Sequence, residues 1–291
     1  MLPKQSPQII QFSERPRLRK SSRFALWLTA FLLTLPAFRL PQQYSSTGQL
    51  IDASANYTSR SAVSPSWGCP LINAGEKITK HSAYCVSYNH KHMQANWVAY
   101  ELRLSNTIGA AERESRFIVD PIIIPHTART EDYTKSGFDR GHLAPAADMK
   151  FSEQAMKESF YTSNISPQRP GLNRGIWKQL EEKIRDWAPA NRPLFIVTGP
   201  VLTDTLSQYI GRYNRISVPK RFFKVVLDTA QPARAIGFVF SNMGSTLTLS
   251  SFALSIDAVE KITGRDLFPN LSDNRENTLE KSLQLQRWDF N

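Results

Sequence analysis

Apolar and polar positions alternate over "NWVAYELRL", Asn96 to Leu104. Trp97, Ala99, Glu101 and Arg103 fall on one side and Val98, Tyr100, Leu102 and Leu104 on the other. A period of two predicts a β-strand. "RFIVDPIIIP" reads as a second strand or an edge segment, interrupted by Pro121. Three apolar runs, "LFIVTGP" (Leu194 to Pro200), "FFKVVLD" (Phe222 to Asp228) and "AIGFVFSN" (Ala235 to Asn242), predict β-rich core strands bounded by Gly, Pro and Asn. A short helix is predicted from Ser152 to Phe160, with Ser152 as N-cap and Met156 and Phe160 on one face. Another runs through "SIDAVEKITG", opened by Ser255 and stopped by Gly264. Helices and strands without regular βαβ alternation, internal repeat or Gly-rich phosphate loop predict an α+β fold.

The most informative helix lies between Pro170-Gly171 and Pro189. Ile176, Leu180, Ile184 and Trp187 fall within an arc of about 80° and define its core face. Asn173, Glu181 and Arg185 climb one flank of that stripe with Trp177 between them, while Lys178, Gln179, Glu182 and Asp186 take the solvated side. Taken alone, the flank reads as a polar rim with an i,i+4 Glu181–Arg185 pair.

The amino-terminal pattern is different. "FALWLTAFLLTLPAF", Phe24 to Phe38, is uncharged and apolar, and follows a segment, residues 1–23, holding six cations and one acid. As a helix the run spans roughly 22 Å, short of the roughly 30 Å hydrocarbon core, which suits a signal peptide or a short membrane anchor. No clear A-x-A cleavage site follows, which favours an uncleaved anchor with the basic segment cytoplasmic. Residues 39–64 are small and polar and read as a linker, so the folded domain is expected over residues 65–291.

The formal net charge of +11 over 291 residues favours a polyanionic partner, although the leader carries part of it. Hydrophobic content of 41% supports a sizeable core and excludes a disordered chain. Cys69 and Cys85 would pair in an exported protein or stay as free thiols in a reducing compartment.

Chemistry concentrates in "SGFDRGHLAPAADMK", Ser136 to Lys150, where an arginine, a glycine and a histidine follow an aspartate. Four neighbours cannot share one face of a helix or strand, and Gly141 implies a bend or a close backbone approach. Added to the helix flank, the segment supplies a base, an oxygen ligand, a carboxylate and two cations, the inventory of metal-assisted phosphodiester hydrolysis. A neutral His142 can take a proton from water. Asn173 can offer an amide oxygen to a hard cation that keeps its other waters, and Glu181 can orient those waters. Arg140 and Arg185 can brace phosphate oxygens.

At this point the chain resembles the DNA/RNA non-specific endonucleases of the endonuclease G type. The likeness rests on "SGFDRGHLAPAADM", "FYTSNISPQ", "LNRGIWKQLEEKIR", "TGP" and "VPKRFFKVVL" in that order. It implies a ββα-metal (His-Me finger) fold with a central antiparallel sheet flanked by helices. It also implies His142 as general base, Asn173 as the protein ligand of hydrated Mg²⁺, with Mn²⁺ as the substitute, and Arg140, Glu181, Arg185 and Asn164 as further site residues. Asp139 would position the motif, and the substrates would be DNA and RNA, cut to 5′-phosphate and 3′-hydroxyl ends. Arg129 in "HTARTEDY" is a candidate for a further substrate-binding arginine, with a local spacing that matches poorly.

The alternative from another class is a catalytically idle nucleic-acid-binding protein of the envelope with the same fold. The leader favours export, either anchored to the inner membrane facing the periplasm or secreted, with a mitochondrial address as the alternative; a homodimer is compatible with both. "HSAYCVSYNHKH" matches no standard zinc spacing, and His126 reads as an ordinary loop residue. In "VPKRFFK", Lys220, Arg221 and Lys224 either track a nucleic-acid backbone or form a solvated face above a buried Phe223.

Overall fold

The chain is described here from a computed structural model over residues 68–290. The basic segment, the apolar run and the linker lie outside the described residues. Among the described residues no helix is long and apolar enough to cross a membrane.

The chain enters through three strands, β1 (Ile78–Lys80), β2 (Tyr84–Asn89) and β3 (Gln94–Leu102), and then leaves the sheet for a long excursion. That excursion holds the hairpin strands β4 (Asp139–His142) and β5 (Ile165–Gln168), with α1 (Glu153–Ser159) between them. A π-turn over Leu172–Ile176 leads into α2 (Trp177–Trp187). The chain returns through β6 (Leu194–Pro200), a small hairpin of β7 (Tyr209–Ile210) and β8 (Ile216–Ser217), then β9 (Arg221–Asp228), β10 (Arg234–Ser241) and β11 (Ala253–Leu254). It closes with α3 (Ile256–Thr263) and α4 (Asp273–Leu279).

The main sheet is antiparallel throughout, in the order β1-β2-β3-β6-β9-β10-β11. Both faces of its centre are covered. One face, with Val98, Tyr100, Ile196, Phe222 and Val226, packs on Ile176, Leu180, Ile184 and Trp187. The other, with Trp97, Val197, Phe223 and Val225, packs on Ile256 and Val259 of α3 and on Leu267 and Leu279. Each such apolar side chain contributes roughly 2 kcal/mol by leaving water, so the core stripe of α2 fixes that helix to the sheet.

The predicted strands and caps occur. Ser152 and Ser255 accept backbone N–H bonds from Ala155 and Ala258, and Gly264 ends α3 at φ 68°. "RFIVDPIIIP" is not a strand. Ile118 makes one isolated bridge to Tyr161, and the rest is tied by side chains: Thr127 Oγ1 accepts from the Asp120 amide, and Asp120 accepts from Ile122 and Ser163. Pro121 and Pro125 lack the N–H that a ladder needs. The helix expected to run unbroken from Gly171 is interrupted at Gly175, whose φ −103° and ψ −117° are not helical. Cys69 and Cys85 form a disulfide that fastens the start of the described chain to β2. Closing this loop constrains the unfolded chain by ~3 kcal/mol in the loop-entropy view.

Candidate active site

Strand β4 is the "DRGH" stretch, paired residue for residue with "ISPQ" of β5, so that Gly141 lies opposite Ser166. A Cβ at Gly141 would collide with the buried side chain of Gln168, so only glycine lets the two strands lie this close. The pleat then divides the motif. Arg140 and His142 leave on one side, where each meets the ring of Phe117, and Asp139 leaves on the other.

Three ties bind this segment to the kinked helix. Asp139 accepts from Asn173 Nδ2 at 3.0 Å and takes Arg174 through two bonds of 2.8 and 2.6 Å. Burial would raise the Asp139 pKa, but Arg174 and Asn173 outweigh it and the carboxyl is held below its ordinary value. Further along, Lys224 of β9 donates to the Leu143 carbonyl at 3.0 Å and lies 3.8 Å from Glu181 Oε1 and 4.7 Å from the Trp177 ring centroid. Finally Arg185 donates to Asp148 Oδ1 at 3.0 Å, and Tyr100 donates to Asp148 Oδ2 at 3.0 Å. Asn164 completes the frame from behind: it accepts from the Ala144 amide and donates to the carbonyls of Ala144 and Ser159.

Electrostatics follow from burial. Desolvation lifts the Glu181 carboxyl to about 7, with Lys224 pulling the other way and Asp148 adding to the rise. Desolvation also lowers the Lys224 ammonium and raises Asp148, against the attraction of Arg185. His142 is pushed down to about 3 by desolvation between Phe117 and Phe160, helped by the nearby Arg113 guanidinium. It is therefore a neutral imidazole at physiological pH.

Several expectations need correcting. Glu181 and Arg185 do not pair with each other, because Arg185 is taken by Asp148 and Glu181 faces Lys224. Lys224 is not on a solvated face; it is fully buried, and Arg221 is bound to Asp204. Sequence reasoning missed Lys224 because it assumed one wet face, whereas the near-continuous apolar run around it signals a strand covered on both sides. Asp148 and Arg113 were also missed. Arg113 is exposed, sits 5.0 Å from the Phe160 ring and is closer to the histidine's surroundings than Arg129, which stacks on Tyr213. No hydrogen bond joins His142 to Asn173 or Glu181. Arg140 is held by the Thr130 carbonyl at 2.7 Å, on the histidine side of β4. Of the histidines near Cys85, His81 lies 2.9 Å from Asp120 and His92 2.9 Å from Ser217, a dispersion that leaves no zinc site.

A hard cation fits these donors. Asn173 has its Nδ2 committed to Asp139, which leaves its amide oxygen for an ion. Glu181 Oε1 and His142 Nε2 are buried without hydrogen-bond partners. Among the described residues, the one group of three or more metal-ligating side chains lies elsewhere, at Asp257, Glu260 and Glu280, so a site at Asn173 would rely on water for most of its ligands.

A β-hairpin that delivers a histidine beside a kinked helix bearing an asparagine and a buried glutamate defines a ββα-metal nuclease. Comparison with known sequences then gives the family: residues 69–274 match the DNA/RNA non-specific endonuclease profile, and the chain belongs to that family. It is 34% identical over 237 residues to the mitochondrial nuclease EXOG of Danio rerio, covering 76% of this chain and 69% of that protein. It is 34% identical over 222 residues to the mitochondrial nuclease of Saccharomyces cerevisiae, covering 68% of each, and 31% identical over 210 residues to human mitochondrial endonuclease G, covering 67% and 70%. A chain of the solved EndoG/EndoGI complex superposes with a TM-score of 0.62 at 26% identity, covering 71% of this chain and 90% of that one.

Proposed function

We propose that the protein hydrolyses phosphodiester bonds of DNA and RNA with little sequence preference, in a Mg²⁺-dependent reaction with Mn²⁺ as the substitute. The reading is carried by one observation: three side-chain ties lash the "DRGH" segment to the helix bearing Asn173, Glu181 and Arg185, yet leave His142 Nε2, Glu181 Oε1 and the Asn173 oxygen uncommitted.

Neutral His142 draws a proton from the attacking water, and its aromatic surroundings keep it unprotonated for that purpose. The P–O3′ bond breaks as the new P–O bond forms, giving 5′-phosphate and 3′-hydroxyl ends. Asn173 would hold the ion, with Asp139 fixing the amide so that oxygen faces it; Glu181 would receive hydrogen bonds from the ion's waters. The bound ion supplies charge neutralisation at the phosphate and the leaving oxygen. Arg140, Arg113 and Arg185 contribute positive charge around the phosphate, and Asn164 sets the backbone that follows the histidine. Gripping phosphate instead of base edges accounts for indifference to sequence.

The basic and apolar leader fits passage through a membrane, as an export signal, an inner-membrane anchor or an organelle address like that implied by the relatives' mitochondrial names. A disulfide suits an oxidising compartment on the far side. The functional test is incubation of the full chain with supercoiled plasmid and with RNA, with and without Mg²⁺, beside His142→Ala and Asn173→Ala. Metal-dependent cleavage should fall at least about 100-fold in both variants. A folded protein that binds DNA but stays inert across divalent metals would establish the binding-protein reading instead.

A further inference from the structure

The small β7–β8 hairpin carries more chemistry than a connection between two core strands requires. Its tip, Gly211 to Arg215, exposes Tyr213 at 57%, and Tyr209 at its base is exposed at 39%. Large rings in water are single liabilities unless something stacks on them. Here each carries cations: Arg129 lies 5.2 Å and Arg212 5.6 Å from the Tyr213 centroid, and Arg215 lies 3.7 Å from that of Tyr209. None of these three arginines takes part in an ion pair among the described residues.

The tip is also rigidly built. The Asp132 carboxylate accepts from the backbone amides of Arg212, Tyr213 and Asn214 at 3.0, 2.7 and 3.0 Å, from Asn214 Nδ2 at 2.7 Å and from the Arg129 amide at 2.9 Å. Burial opposes the charge, but these donors win and hold its pKa below the ordinary carboxylate range. Gly211 turns at φ 120°, and a Cβ there would strike the Asn214 carbonyl. His126 Nε2 meets Asn214 Oδ1 at 3.2 Å from the side. One buried carboxylate thus fixes an exposed tyrosine between two guanidinium groups before any ligand arrives, which lowers the ordering cost of binding.

This platform adjoins the candidate active site. Asp132 belongs to the helical turn Thr130–Tyr133, whose Thr130 carbonyl receives Arg140 at 2.7 Å and whose Tyr133 ring lies 5.8 Å from the Arg140 guanidinium. A rigid ring with unpaired arginines on both sides is suited to a nucleobase on its face and phosphates at its edges. In a duplex the base faces are covered by neighbouring bases, whereas in a single strand they are free.

We propose that Tyr213, with Arg129, Arg212 and Arg215, forms a stacking subsite for unpaired nucleotides flanking the scissile phosphate, and so biases the protein towards single-stranded nucleic acid. The proposal rests on the nuclease reading for its flanking role, but its binding part is separately testable.

The test uses the full chain carrying Asn173→Ala and measures binding of a fluorescent oligo-dT and of a duplex by anisotropy. Adding Tyr213→Ala should weaken single-strand binding by about 5- to 140-fold, from about 1–3 kcal/mol per stacked base, and duplex binding by less than about twofold. Tyr213→Phe should restore it, since the ring remains. Replacing Arg212 and Arg215 by Ala should reduce the slope of log affinity against log salt by about 1.4 on the single strand. Equal weakening of both substrates, or no change in a variant that melts like its parent, would overturn the subsite. If the wild-type chain cleaves plasmid while Tyr213→Ala binds normally, the subsite fails and the nuclease stands. If the chain never cleaves yet single-strand binding depends on Tyr213, the nuclease reading fails and the subsite stands.

Discussion

Lys224→Met removes an ammonium that the core has closed around. At 3.8 Å from Glu181 Oε1 the pair attracts by about 4 kcal/mol at an effective dielectric of about 20. The substitution also frees the Leu143 carbonyl from its 3.0 Å bond and removes the cation over Trp177. Replacing one partner of a buried pair leaves the other charge uncompensated and costs about 3–5 kcal/mol. The remaining carboxylate has one escape, which is to bind a proton: Glu181, already lifted to about 7, should rise further and be neutral at physiological pH. The cost should therefore shrink by at least about 2 kcal/mol when Glu181→Gln is made first, because a neutral amide needs no counter-charge. Urea unfolding of the wild type, both single variants and the double variant at pH 7.5 gives this coupling directly. For a domain of this size the single Lys224→Met change corresponds to a melting shift of about 6–20 °C. A loss below about 1 kcal/mol, or a cost unchanged by Glu181→Gln, would refute the view that these two groups support each other.

Asp139→Ala should lower metal-dependent cleavage about 10- to 100-fold by freeing the Asn173 amide to rotate, while Arg174→Ala, which spares the Asn173 bond, should cost much less in the same plasmid assay. Asn164→Ala should destabilise the fold by about 2–4 kcal/mol in urea titration, since it strands the Ala144 amide and carbonyl and the Ser159 carbonyl in a buried setting. The His142 pKa lies near 3 folded and near 6.5 unfolded, so below pH 6.5 the unfolded chain binds the extra proton. Stability present above pH 6.5 should then fall on acidification, by about 2–3 kcal/mol more between pH 7 and 4.5 in wild type than in His142→Asn, as read from unfolding midpoints.

The parts of the fold that were legible were those governed by local rules. Leu194–Pro200 matches its strand at both ends, and Ser152, Ser255 and Gly264 cap where their chemistry dictates. The four core positions of α2 follow from spacing alone. Less legible was anything decided by what packs from far along the chain. The partner of Arg185 is 37 residues away and that of Glu181 is on β9, so an i,i+4 pairing was the natural and mistaken inference. The break at Gly175 defeats wheel arithmetic for Asn173, because a helical wheel presumes an unbroken helix. "RFIVDPIIIP" has strand composition, but its polar groups are satisfied by side chains of Thr127 and Ser163, which no window reveals. The site residues proposed by motif do converge on one region, and Lys224, Asp148 and Arg113 were hidden because their roles exist only in three dimensions.

The main sheet is finished at its two borders by stubs, three residues of β1 and two of β11, while its longer strands are flanked on both sides. Neighbouring copies of the protein thus meet almost no free ladder along which to assemble. A shortened chain starting after Lys80 would lose that guard together with the Cys69 bridge, and would present the six-residue, mostly buried β2 as a new border. Trimming the amino terminus too far should therefore show first as fibrous or amorphous aggregation, before any change in the chemistry.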